Sequence, residues 1–115
     1  MNMNHNPLNV GLRKLGKETF IRASEAVQAA ENAAKNLVSY KNAFQADVGK
    51  LPVNVQTEFR KSGDVSLLDD QAKANKKKME EIERNLPTLQ KEARYWVGGL
   101  GKATAEKIPG AKNYL

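Results

Sequence analysis

Residues 20–51 read FIRASEAVQAAENAAKNLVSYKNAFQADVGKL, and this stretch decides the fold. It contains no Pro and is rich in Ala, Lys, Glu and Gln, which favour helix. Its apolar residues recur at alternating spacings of three and four, the seven-residue period of a coiled coil. The pattern predicts one long helix with a continuous packing seam. The seam residues are Phe20, Ala23, Val27, Ala30, Ala34, Leu37, Lys41, Phe44, Val48 and Leu51.

A second stretch, residues 65–100, repeats the same period with Asn75 as its only polar seam position. If the chain folds back between the two stretches, Phe20 lies opposite Trp96, and Lys41 lies opposite Asn75. A single polar layer of this kind fixes the register of two helices at some cost in stability. The sequence therefore predicts an all-α, coiled-coil-like antiparallel hairpin with Lys41 and Asn75 as its polar layer. The second seam consists of Val65, Leu68, Ala72, Asn75, Met79, Ile82, Leu86, Leu89, Ala93, Trp96 and Leu100.

The 115 residues are expected to form one helical domain. Pro87 lies inside the second helical stretch, where its ring and missing N–H predict a kink or a split into a third helix. A short helix in the connector, ending before Gly63, and a capping box from Ser66 to Asp69 are also predicted. The expected segments are a flexible arm (1–11), a first helix (12–51), a connector (52–64), a second helix (65–107) and a tail (108–115).

Many apolar side chains lie outside the seam, and a two-helix unit rich in Ala buries little surface by itself. We therefore expect either the segment after Pro87 or a second chain to cover them. The second case predicts a helical bundle formed by self-association.

The net charge of +6 is unevenly distributed, because residues 23–90 are neutral whereas residues 1–22 and 91–115 each carry +3. In a hairpin both basic regions lie at the same open end, together with Tyr95 and Trp96. We expect Trp96 to pack in the seam and Tyr95 to be more exposed. A basic, aromatic end is the best candidate surface for an anionic partner. Its predicted partner-binding residues are Arg13, Lys14, Lys17, Arg22, Lys91, Arg94, Tyr95, Lys102 and Lys107.

The composition argues against an enzyme. Without Cys, the chain has neither a thiolate zinc site nor a cysteine nucleophile, and a lone His5 excludes a multi-histidine metal site. The Gly-rich run before Lys102 departs from a phosphate-binding loop, with Trp96 in place of the first Gly and Ala103 in place of Ser or Thr. No catalytic residue, metal or cofactor is expected.

The sequence has no apolar run near the ~20 residues that cross a membrane, and its N-terminus lacks the pattern of a signal peptide. A cytoplasmic location is therefore expected. Three functions remain open: a non-enzymatic protein-interaction module, such as an adaptor, chaperone or inhibitor of a larger machine; a nucleic-acid-binding protein that contacts phosphate; and an oligomeric binder of a small anionic ligand. Steep loss of affinity with salt would identify phosphate contacts.

Overall fold

The protein is all-helical throughout the part described by the structure, a computed structural model that covers the backbone of residues 7–115 and the side chains of residues 16–115. No strand occurs in this range, and none of its helices is apolar and long enough to cross a membrane. The elements are α1 (Pro7–Gly49), α2 (Val53–Ser62), a 3₁₀ turn (Val65–Leu67), α3 (Asp70–Gly98), α4 (Lys102–Ala105) and a second 3₁₀ turn (Ala111–Tyr114).

The first helix begins earlier than the predicted start at Leu12. Pro7 is its first residue, so part of the predicted arm is helical, while residues 1–6 lie outside the described range. Proline suits the first turn because its fixed φ is helical and its missing N–H would have no partner there.

The end of α1 is tied to α2 by one side chain. The Gln56 Nε2 donates to the carbonyl oxygens of Gly49 and Leu51, at 3.1 and 2.7 Å. The last carbonyls of a helix have no intrahelical hydrogen-bond donor, and the Gln56 amide supplies a donor here. The short helix predicted in the connector is confirmed, and it ends at Gly63, whose φ of 67° is left-handed.

The second long helix begins later than predicted, because Asp69 is its cap. The Asp69 Oδ1 accepts from the backbone N–H of Ala72 at 2.8 Å. Asp64 likewise accepts from the N–H of Ser66, at 3.0 Å, and caps the first 3₁₀ turn. The predicted capping box from Ser66 to Asp69 is therefore wrong: two aspartates each cap their own element, since a short carboxylate reaches the N–H groups that follow it.

The predicted split at Pro87 does not occur, and α3 runs through this residue from Asp70 to Gly98. The missing N–H of Pro87 leaves the carbonyl of Glu83 without its usual intrahelical donor. Both residues are exposed, so water can solvate that carbonyl, and this lowers the cost of an uninterrupted helix.

The described residues form two compact units, and α1 and α3 contribute to both. The first unit combines the described residues up to Asn32 with Pro87–Leu115. Its core joins three small residues of α1 (Ala23, Val27 and Ala30) to Ala93 and Val97 of α3. These residues belong to the predicted seam or, for Val97, lie beside it. The two long helices thus pack together through small side chains.

The C-terminal segment forms a third layer on the first unit. Ala105, Ile108, Ala111 and Tyr114 are buried at a constant spacing of three residues and join the same core. Residues 108–115 are therefore packed, although the sequence reading describes them only as a tail. Gly110, with a φ of 82°, turns the chain between α4 and the second 3₁₀ turn.

The second unit, Ala33–Leu86, has a smaller core. Val48 of α1 packs with Leu68 and Ala72, and partly buried residues surround them. The rings of Phe44 and Phe59 meet edge to face, with centroids 6.1 Å apart. The surrounding residues are Phe44, Leu51 and Phe59.

Candidate interaction surface

The predicted partner-binding residues with described side chains all belong to the first unit, and all are exposed. These side chains therefore share one unit, and none of them is buried. Arg13 and Lys14 lie outside the residues whose side chains are described. The described members are Lys17, Arg22, Lys91, Arg94, Tyr95, Lys102 and Lys107.

Tyr95, Trp96 and Arg22 form a contact cluster on this unit. The Tyr95 and Trp96 rings meet edge to face, with centroids 5.2 Å apart, and the Arg22 guanidinium lies 5.8 Å from the Trp96 ring centroid. Trp96 is half-buried against the core, whereas Tyr95 is 72% exposed. The expected division between a packed Trp96 and a more exposed Tyr95 is confirmed. An exposed aromatic held against a fixed one is a preorganised contact group.

An open groove of about 180 Å³, which we call the Trp96 groove, lies beside this cluster. Its lining combines apolar residues with one arginine and two glutamates. The charge of the groove lining is therefore negative, although the chain as a whole is basic. The lining residues are Arg22, Glu25, Ala26, Ala29, Leu89, Glu92 and Trp96.

Glu25 and Glu92 are the groove residues that the sequence does not predict. A sum of charges over a long segment sets these carboxylates against distant lysines. The sum therefore does not show that the two glutamates lie in one groove. The signal available in the sequence was proximity: Glu25 adjoins the α1 seam between Ala23 and Val27, and Glu92 precedes Ala93.

The third layer contains a polar contact to α1. The Asn113 Nδ2 donates to Glu31 Oε1 at 3.1 Å, and a Cβ added at Gly110 would lie 3.3 Å from the Glu31 side chain. Burial raises the pKa of Tyr114 above its usual value, and the negative charge and hydrogen bond of Glu31 raise it further. The positive charge of Arg94 acts weakly in the opposite direction.

The polar residue that pairs with Asn75 is Asp47, and the predicted Lys41–Asn75 pair is replaced. The Asn75 Nδ2 donates to Asp47 Oδ2 at 2.7 Å, Asp47 is only 7% exposed, and Lys41 is exposed. A carboxylate accepts a stronger bond from an amide than a neutral oxygen does. A lysine, in contrast, can keep its ammonium in water on its long stem.

Two further surface grooves lie in the second unit. One, of about 450 Å³, is lined by Phe44, Gln45, Val48, Phe59 and Arg60. The other is lined by Val65, Lys73, Lys76, Lys77 and Glu80. Lys76 forms an ion pair with Glu80, and this contact lowers the pKa of that carboxyl. Part of the lysine run is therefore paired within its own helix, which is typical of a solvated helix face.

Among the described residues, no group of three or more His, Asp or Glu side chains is arranged to hold a metal ion. No family model matches the chain, and neither a curated protein nor a solved structure matches it.

Proposed function

We propose that the chain is a non-enzymatic helical interaction module that binds another protein through the first unit. The contact group is Tyr95, backed by Trp96 and flanked by exposed basic side chains. The observation that carries this proposal is the 72% exposure of Tyr95 beside a half-buried Trp96. Aromatic and arginine side chains that gain burial on binding supply much of the energy of protein interfaces.

The groove charges favour a protein partner over nucleic acid. A phosphate backbone placed against Trp96 would meet Glu25 and Glu92 as well as Arg22. Nucleic-acid affinity comes mostly from basic groups that neutralise phosphates, and carboxylates in the contact surface oppose it. A surface of mixed charge around an aromatic centre is instead typical of protein interfaces. The same carboxylates oppose a small anionic ligand at this position.

The architecture that suits this function is an antiparallel hairpin of α1 and α3 that assembles into a bundle with a second copy. Exposed apolar side chains in the second unit support self-association, since Val38 and Val53 are 57% and 78% exposed. Sedimentation velocity of the purified chain tests it. We expect a species heavier than the 12.7 kDa chain at high micromolar concentration, and a monomer would contradict the assembly.

The binding function is tested by affinity capture from the source cells, with the wild-type chain and two variants compared after nuclease treatment. Tyr95→Ala removes the exposed ring, and Asn42→Ala is the control at an exposed polar position of the second unit. Each captured protein is then purified, and its affinity for all three chains is measured by calorimetry.

We expect a protein partner that is retained after nuclease treatment, binds the Asn42→Ala chain normally and binds the Tyr95→Ala chain at least tenfold more weakly. That factor corresponds to about 1.4 kcal/mol of binding free energy, which is within the range lost when an aromatic side chain of an interface is truncated. Capture of nucleic acid without any protein partner would overturn the proposal. Equal affinity for the Tyr95→Ala chain and the wild type would overturn it too.

A further inference from the structure

The Trp96 groove combines three kinds of chemistry in one small space. Ala26, Ala29 and Leu89 provide apolar side chains, Trp96 provides an aromatic face, and Glu25 and Glu92 provide two negative charges. The groove has a volume of about 180 Å³ and is open to solvent.

Arg22 already demonstrates which group the aromatic face attracts. Its guanidinium lies 5.8 Å from the Trp96 ring centroid, within the ~6 Å range of a cation–π contact. Arg22 is itself exposed and is not part of the core of the first unit. The chain thus carries an internal cation at a place where an external cation would be attracted by the same ring.

We propose that the Trp96 groove accepts a lysine or arginine side chain of the partner protein, which displaces Arg22 from the Trp96 face. The proposal rests on the proposed function and specifies which partner side chain enters the groove. We call this side chain the anchor. The aliphatic stem of the anchor packs on the apolar lining residues Ala26, Ala29 and Leu89. Its charged head lies between Trp96 and the two carboxylates.

The match depends on the combination of apolar and charged groups in one lining. Lysine and arginine are the side chains with a long apolar stem and a cationic head, so they complement both kinds of group. An apolar side chain would contact the apolar residues but leave Glu25 and Glu92 facing it without a counter-charge. An acidic side chain would be repelled by both glutamates.

Apart from Arg22, the exposed basic residues of the first unit lie outside the groove lining and do not oppose this assignment. Lys91 and Arg94 are not among the groove residues. Once Arg22 is displaced, the charged residues that line the groove are Glu25 and Glu92. The surrounding lysines remain free to contact acidic groups beside the anchor on the same partner.

Trp96 is the only tryptophan in the chain, so its emission reports on this groove. The probes are three blocked tripeptides, acetyl-Gly-X-Gly-amide, in which X is arginine, citrulline or glutamate. Citrulline has nearly the shape of arginine but no charge. Each peptide is titrated into the full-length wild-type chain while selectively excited tryptophan emission is recorded, and the midpoints of the titrations are compared.

We expect the arginine peptide to bind at least threefold to fivefold more tightly than the citrulline peptide. A difference of that size is typical of an exposed cation–π contact together with its counter-charges. The glutamate peptide should not bind. The double variant Glu25→Gln/Glu92→Gln should weaken the arginine peptide by about the same factor. Glu106→Gln, at an exposed carboxylate of the same unit outside the groove, should leave its affinity unchanged. All these positions are exposed, so the fold is retained.

Arg22→Gln gives the sharpest result, because it removes the internal competitor. It should bind the arginine peptide about threefold to fivefold more tightly than the wild type does. An anion site would behave in the opposite way, losing affinity when Arg22 is removed.

The inference is overturned if Arg22→Gln weakens binding, if the citrulline peptide binds as well as the arginine peptide, or if no peptide gives a saturable change up to about 10 mM. These titrations need no partner protein. A partner captured through Tyr95 with no peptide binding would refute only the anchor, and peptide binding with no captured partner would refute only the proposed function.

Discussion

The two compact units use the same two long helices, but the segment packed on these helices is buried in the first unit, whereas α2 of the second unit contributes no buried residue. In the first unit, residues of the C-terminal segment extend the core contributed by α1 and α3. The second unit buries only Val48, Leu68 and Ala72 as apolar core, and it also buries the carboxylate of Asp47. Two helices with small seam residues bury little apolar surface, so a third layer determines how much core forms.

Truncating a buried side chain of the third layer should have the largest effect on the free energy of unfolding. Tyr114→Ala deletes a buried aromatic of the first unit, and losses of about 3 kcal/mol in the free energy of unfolding are expected for such a change. Urea denaturation followed by circular dichroism measures it. Tyr95→Ala is the matched control, since the same truncation at a 72% exposed position should cost less than about 0.5 kcal/mol. Equal losses for the two variants would mean that the third layer does not stabilise the first unit.

The second unit should be most sensitive at its buried polar pair. Asn75→Leu leaves the buried Asp47 carboxylate without its amide donor, and we expect a loss of about 2 kcal/mol in unfolding free energy. Replacing Asp47 and Asn75 together by Leu should recover most of that loss, because no buried polar group is then unpaired. Lys41→Leu is the control. Thermal denaturation that instead revealed Lys41→Leu as the costly change would restore the predicted Lys41–Asn75 layer.

The cap of α3 should matter less than either core. Asp69→Ala removes the acceptor for the Ala72 N–H and should cost about 1 kcal/mol in chemical denaturation. The neighbouring Asp70→Ala, at the first residue of α3, should cost less, because Asp70 contributes only its charge near the helix N-terminus. A larger loss for Asp70→Ala than for Asp69→Ala would contradict the assignment of Asp69 as the cap.

The smallest expected effect is a pH dependence confined to the first unit. Burial and the nearby Glu31 raise the pKa of Tyr114 in the folded state. Above about pH 10, the value usual for tyrosine, the unfolded chain therefore loses this proton before the folded chain does. The folded state then binds more protons, so stability falls as pH rises towards the raised pKa. Tyr114→Phe should lose this dependence in denaturation curves recorded on both sides of pH 10.

The period of the apolar residues was enough to predict which positions are packed. Every seam position is buried or half-buried except Lys41 and Val65, and both long helices and the short helix between them occur in the structure. Spacing predicts a face because it follows directly from the geometry of a helix. The same spacing, three residues apart, is also present in Ala105, Ile108, Ala111 and Tyr114, but Pro109 and Gly110 obscure it as a helical pattern.

The partners of polar and charged residues were not predictable in the same way. Asn75 bonds to Asp47 and not to Lys41, because the choice between acceptors depends on where each side chain points after packing. Glu25 and Glu92 meet in one groove although they are far apart in sequence. Such encounters are long-range contacts, which a count of charges along the chain does not contain.

The hydrogen bonds that join the end of α1 to α2 in the second unit span few residues, and this implies an order of folding. Gln56 bonds to carbonyls only five and seven residues away, whereas Asn113 reaches Glu31 across 82 residues. Closing a long loop costs more chain entropy than closing a short one, and proteins rich in local contacts fold faster. We therefore expect amide protection during refolding to appear first between Gly49 and Ala72 and last around Glu31 and Tyr114. Pulse-labelling hydrogen exchange in which the C-terminal segment is protected first would reverse that order.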